Sequence, residues 1–131
     1  MYLDANFFIY AYNDKGKKGE TARSILKKIV KGQTAITSSL ALDEVMWVLI
    51  KNKQSNSVRP IIEDMFATEN LEVKETPALA SLRALDFIEG FNLQPRDAMH
   101  LATMEHFAVD NIVSDDSDFD KIPWIKRVKL N

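Results

Sequence analysis

A chain of 131 residues with a formal net charge of −2 and no cysteine is long enough to bury a core without staples, and it excludes disulfides, thiolate zinc sites and cysteine nucleophiles. The near-neutral total also excludes the uniformly basic surface of a strong non-specific nucleic-acid binder. No stretch approaches the roughly 20 apolar residues of a membrane span, and Met1-Tyr2-Leu3-Asp4 lacks the basic start of a secretory leader, so a soluble cytoplasmic protein is expected.

In chain order, Met1 to Leu3 reads as a brief strand and Phe7 to Tyr12 as a short apolar helix ended by Asn13-Asp14-Lys15-Gly16. Glu20 to Lys31 is predicted helical, with Ala22, Ile25, Leu26 and Ile29 on one face and Gly32 closing it. Thr34 to Thr37 is strand-like. Ser38 or Ser39 is a candidate N-cap for a helix from about Leu40 to Lys51, and Val58 to Phe66 forms another helix with Pro60 near its first turn.

Leu71 to Lys74 is a further strand. Pro77 opens a helix stopped by Gly90, and Pro95 opens the next, to about Phe107. Asn111 to Ser114 resembles a short buried strand and Arg127 to Leu130 a last edge strand. No linker, repeat or low-complexity tract divides the chain, so one domain over residues 1–131 is expected. Strands alternating with helices predict an α/β three-layer sandwich, a central parallel sheet flanked by helices on both faces.

In such sheets ligands bind beyond the carboxyl ends of the strands, where Asp4 and the pair Asp115-Asp116 fall. Asp4 also suits the N-cap of the following helix. Glu44 has Leu40, Ala41, Trp47 and Val48 three and four residues away, so it is expected to point inward, where a carboxylate needs a cation, donors or an internal salt bridge. Asp43 reads as a surface acid near the helix start. Asp97 shares a stripe with Leu101, Met104 and Ala108, although an acid in a first helical turn also complements the helix dipole. The run Ser114-Asp115-Asp116-Ser117-Asp118-Phe119-Asp120 is not an EF-hand from Asp116, since Lys121 and Arg127 stand where Gly and Glu are required.

Carboxylates that converge repel one another unless positive charge is supplied. Oxygen-only donors select hard ions, Mg²⁺ or Mn²⁺, which activate water for phosphodiester hydrolysis. Lys15, Lys17, Lys18, Arg23, Lys27 and Lys28, with Lys121, Lys126, Arg127 and Lys129, are candidates to hold phosphates outside that centre, or form an ordinary solvated surface.

The segments Leu3-Asp4-Ala5-Asn6, Phe8-Ile9-Tyr10-Ala11, Ser38 six residues before Glu44, Leu93, Asp97-Ala98, His100-Leu101-Ala102-Thr103 and Ile112 to Phe119 together resemble the PIN-domain family over the whole chain, and within it the VapC-type toxin ribonucleases. The resemblance implies RNA cleavage with Mg²⁺ or Mn²⁺, a homodimer and a cognate antitoxin. It assigns Asp4, Glu44, Asp97 and Asp116 as catalytic, metal-holding acids. Asn6 becomes a positioning amide and Asp118 a supporting acid; Asp115 and Ser38 stand beside the set, with Asp115 the alternative to Asp116. For His100 a structural or orienting role is expected, because metal-activated water needs no histidine base.

The apolar Met46, Trp47, Val48, Leu49 and Ile50 lead to the expectation that the Glu44 helix is buried against a second surface as well as the core, through a dimer or within one domain. Other readings are a PIN nuclease of RNA maturation or DNA processing, and a non-catalytic RNA-binding module. A haloacid dehalogenase phosphatase is disfavoured, since Asn6 stands where its second Asp belongs.

Overall fold

The computed structural model describes all residues, 1–131. Five strands, β1 (Tyr2–Leu3), β2 (Ala35–Ser38), β3 (Leu71–Lys74), β4 (Asn111–Val113) and β5 (Lys126–Val128), form one sheet in the order β3-β2-β1-β4-β5. Every pairing is parallel. Six helices join them: α1 (Ala5–Asn13), α2 (Lys17–Val30), α3 (Ser39–Lys51), α4 (Ser55–Ala67), α5 (Ala80–Phe91) and α6 (Pro95–His106). A 3-10 helix, Ser117–Lys121, precedes β5.

Side chains alternate across the short central strands and so build both layers at once. Leu3 and Val113 face a core with Phe7, Phe8, Ile29, Val45, Leu49 and Met65 from α1 to α4. Tyr2 and Ile112 face the other way, against Met104 of α6 and Phe119. Helices α5 and α6 pack on each other around Phe87, Leu93 and Leu101. The α/β sandwich with a parallel sheet is the observed fold.

Several boundaries move for local reasons. Helix α1 starts at Ala5, because Asp4 caps it by accepting from Phe7 N–H at 2.9 Å. Helix α2 starts at Lys17, since Asp14 accepts from Gly19 N–H at 2.7 Å and draws the first turn in. Pro60 lies inside α4, which begins at Ser55, rather than in its first turn. Pro77 precedes a turn, and α5 begins only at Ala80. Gly90 does not stop α5: the helix runs to Phe91 and Asn92 closes it at φ 53°, a left-handed conformation asparagine tolerates. Gly32, at φ 126°, follows the end of α2 as expected. No helix is long and apolar enough to cross a membrane.

Candidate active site

Strand order places the functional crevice. From β1 the chain first moves to β2 and β3, then returns past β1 to β4 and β5, so β1 and β4 flank the point where the order reverses. Ligand crevices open there, beyond the carboxyl ends of the strands. Asp4 follows β1 at that edge, and Ser114, Asp115 and Asp116 follow β4.

Asp4 is only 6 % exposed. Burial pushes its carboxyl up to about 6, against hydrogen bonds from Ser114 and Phe7 N–H and the pull of His100, while Glu44 adds to the rise. A buried acid already committed to a cap and still strained in its charged form has a standing demand for positive charge.

Glu44 is neither on a fully buried stripe nor paired to a lysine or arginine. Its side chain is 19 % exposed, and Oε1 lies 2.5 Å from Nε2 of the buried His100. His100 Nδ1 lies 2.6 Å from Tyr2 Oη, and Tyr2 Oη lies 2.6 Å from Ser38 Oγ. An ionised carboxylate only accepts, so Nε2 donates to Glu44. Tyr2 joins Nδ1 to Ser38, whose Oγ also takes the Ala41 N–H at 3.4 Å as the cap of α3. Burial and the nearby Glu44 and Asp4 push the Tyr2 phenol up, so it stays protonated and able to donate. The chain Ser38–Tyr2–His100–Glu44 thus ties β1, β2, α3 and α6 together behind one catalytic candidate.

One oxygen from each of Asp97, Asp116 and Asp118 falls within 4.8 Å of the others, a group that does not include Asp4 or Glu44. Asp97 comes from the first turn of α6, and the other two from the turn after β4. Asp116 caps the 3-10 helix by accepting from Asp118 N–H at 2.9 Å, which turns both side chains to one place. Burial first, then the charge and hydrogen bond of Asp116 and the charge of Asp118, push Asp97 up to about 7, while His100 pulls the other way. His100 therefore stands near enough to influence both Asp4 and Asp97.

Asp115 points elsewhere. It pairs with Lys18 of α2 at 2.5 Å and accepts from Leu130 N–H at 3.2 Å, and these partners hold its carboxyl below the usual range against its burial. Asn6 is exposed in the first turn of α1. The basic groups are partly spent on architecture: Arg23 donates to the Ala11 and Asp14 carbonyls, Lys121 pairs with Asp118, and Arg127 grips Asp120 and the Ser114 carbonyl. Ala108 does not extend the Asp97 stripe; it lies beyond α6 and is exposed at φ 55°. The Glu44 helix is not covered on its outer face either, with Trp47 51 % exposed and Ile50 bare beside it. Sequence reasoning missed Tyr2 and Ser114, because a tyrosine in a strand reads as a good strand former and a serine after one as a turn residue.

The chain belongs to the PIN-domain family: the PIN domain family model matches residues 1–125. Among its relatives is a VapC ribonuclease of Mycobacterium bovis, 25 % identical over 131 residues, with 98 % of each chain covered. Similar folds include the sarcin–ricin-loop-cleaving toxin VapC20 of Mycobacterium tuberculosis, with TM-score 0.79, 17 % identity and 95 % of each chain covered. A toxin–antitoxin complex from Klebsiella pneumoniae contains a chain matching with TM-score 0.70 and 20 % identity, over 99 % of this chain and 97 % of that one.

Proposed function

We propose that this protein is a Mg²⁺- or Mn²⁺-dependent endoribonuclease, the toxin of a toxin–antitoxin pair, acting in the cytoplasm as a single PIN domain. The observation that carries this reading is the meeting of Asp97, Asp116 and Asp118 oxygens within 4.8 Å, with His100 reaching Glu44 by a hydrogen bond and both Asp97 and Asp4 by charge. Three carboxylates so close fit a hard divalent cation by donor chemistry, and the upward push on Asp97 to about 7 is the electrostatic cost such a cation relieves.

Asp97 and Asp116 would hold the cation with Asp4 and Glu44 as the further acids; Asp118 supports them, and the tie of Asp115 to Lys18 favours Asp116 as the fourth acid. When bound, the cation supplies a water activated for attack and charge stabilisation for the phosphate and leaving oxygen. The residues do the orienting. His100 fixes the Glu44 carboxylate, Ser114 and the start of α1 fix Asp4, and Asn6, exposed at the same helix start, offers an amide to substrate or water.

The relatives in toxin–antitoxin assemblies support a small protein antitoxin as partner, and the uncovered Leu82 and Leu85 on α5 are compatible with a homodimer. Purified protein should cut single-stranded RNA with Mg²⁺ or Mn²⁺ and not in EDTA, and Glu44→Gln should abolish cutting. Cleavage that survives EDTA, or full activity of Asp97→Asn, would overturn the reading.

A further inference from the structure

Beside the acidic centre lies a surface group that the cleavage chemistry does not use. Trp47 sits one turn after Glu44 on α3 and is 51 % exposed. The Lys51 ammonium lies 4.7 Å from the centroid of its indole, and the Arg96 guanidinium 5.7 Å from it. Arg96 immediately precedes Asp97, and its guanidinium reaches within 3.9 Å of Asp43, the neighbour of Glu44. The indole and its two cations therefore bridge the two helices that supply Glu44 and Asp97.

We infer that Trp47, Arg96 and Lys51 form a subsite for one nucleotide of single-stranded RNA, the base stacking on the indole and the adjoining phosphate held by the two cations. This rests on the ribonuclease reading and names where its substrate is gripped. Charge argues for nucleic acid. A cluster of carboxylates repels a polyanion, so the strand needs cations close by. Lys18, Arg23, Lys121 and Arg127 are engaged in internal contacts, whereas Arg96 and Lys51 are exposed, and the ion pair of Arg96 with Asp43 is loose at 3.9 Å. A large indole left half bare between two cations matches how single strands are bound: every base has a face to stack, so grip comes without sequence reading. A duplex keeps its bases stacked on each other and gains only the phosphate contacts.

The chain has two tryptophans, so Trp124→Phe leaves Trp47 as the sole indole reporter. In EDTA, where cutting is off, titration with the RNA hexanucleotide oligo(A) should quench Trp47 emission saturably, and a duplex of equal length should not. Arg96→Ala should weaken binding several-fold and flatten its salt dependence, and Trp47→Ala should weaken binding, followed by anisotropy of labelled oligo(A), about tenfold. Trp47→Ala should melt like the parent because the ring is half exposed, and should raise KM for RNA more than it lowers kcat. Binding by anisotropy with no quench, or unchanged affinity in Trp47→Ala, overturns the subsite. So does a dimer, seen by light scattering, that dissociates in Trp47→Ala while RNA affinity holds, since the face then belongs to a second copy. Quenching without any metal-dependent cleavage leaves the subsite standing and removes the nuclease; cleavage without quenching does the reverse.

Discussion

Replacing Asp97 with asparagine should make the metal-free protein more stable while destroying its response to metal. With its carboxyl raised from 3.8 to about 7, ionising Asp97 at pH 8 costs about 4 kcal/mol unscreened. Asp97 is only half buried, so solvent screening leaves about half of that, and losing a negative charge at the start of α6 removes about 0.5 kcal/mol of dipole stabilisation. The net gain is about 1–2 kcal/mol, or about 4–8 °C in melting temperature for a chain of this size. Thermal melts in EDTA at pH 8 read it directly. The sign is checked by pH: a raised acid destabilises once ionised, so the advantage of asparagine should shrink as pH falls from 7 toward 4. In Mn²⁺ at about a hundred times the parent's dissociation constant the order should reverse, because the parent gains about 3 kcal/mol and the variant gains little. A lower melting temperature for Asp97→Asn in EDTA at pH 8, or equal metal shifts in both proteins, would refute the electrostatic account of the centre.

Asp4 and Asp97 are both raised, to about 6 and about 7, so the metal-free parent should lose stability as pH rises from about 4 to 7, and Mn²⁺ should flatten that loss; a higher melting temperature at pH 8 than at pH 5 in EDTA would contradict it. Tyr2→Phe leaves His100 Nδ1 and Ser38 Oγ without their phenol partner, which should cost about 1–3 kcal/mol in denaturant titration and lower metal affinity measured by calorimetry. Asp115→Ala should lose stability yet keep its metal-induced melting shift, whereas Asp116→Ala should lose the shift. In Gly19→Ala the new Cβ would lie 2.1 Å from the Asp14 carbonyl oxygen, so α2 must move away from α1; about 2 kcal/mol or more of destabilisation should appear in chemical denaturation.

The alternating pattern carries most of the fold because the central strands β1, β2 and β4 are short and mostly buried, and the period changes are sharp at Asp4 and Ser38, which cap the helices that follow. Helix ends were less legible where a remote partner decides them, as Asp14 does for α2 and Asn92 for α5. For Glu44 the pattern predicted an enclosed carboxylate and gave it the wrong surroundings. Its apolar neighbours include Trp47, which faces outward, and the group that holds it is His100, 56 residues away. Periodicity describes one helix and says nothing of which other helix supplies a partner. The tie of Asp115 to Lys18 and the Leu130 amide was closed to sequence for the same reason, since those partners come from opposite regions of the chain.

The pairing of β1 with β4 has a consequence for the protein during its own synthesis. Asp4 leaves the ribosome early, together with Tyr2, but Asp97, His100 and Asp116 follow only after three strands and most of the helices have been made. The central strand stays without its second neighbour until then. Contacts this distant in sequence also form slowly, because a long loop must close before they stabilise anything. An acidic centre built in this order is absent until α6 and the turn after β4 have been made, so whatever chemistry it performs begins only once the sheet is nearly complete.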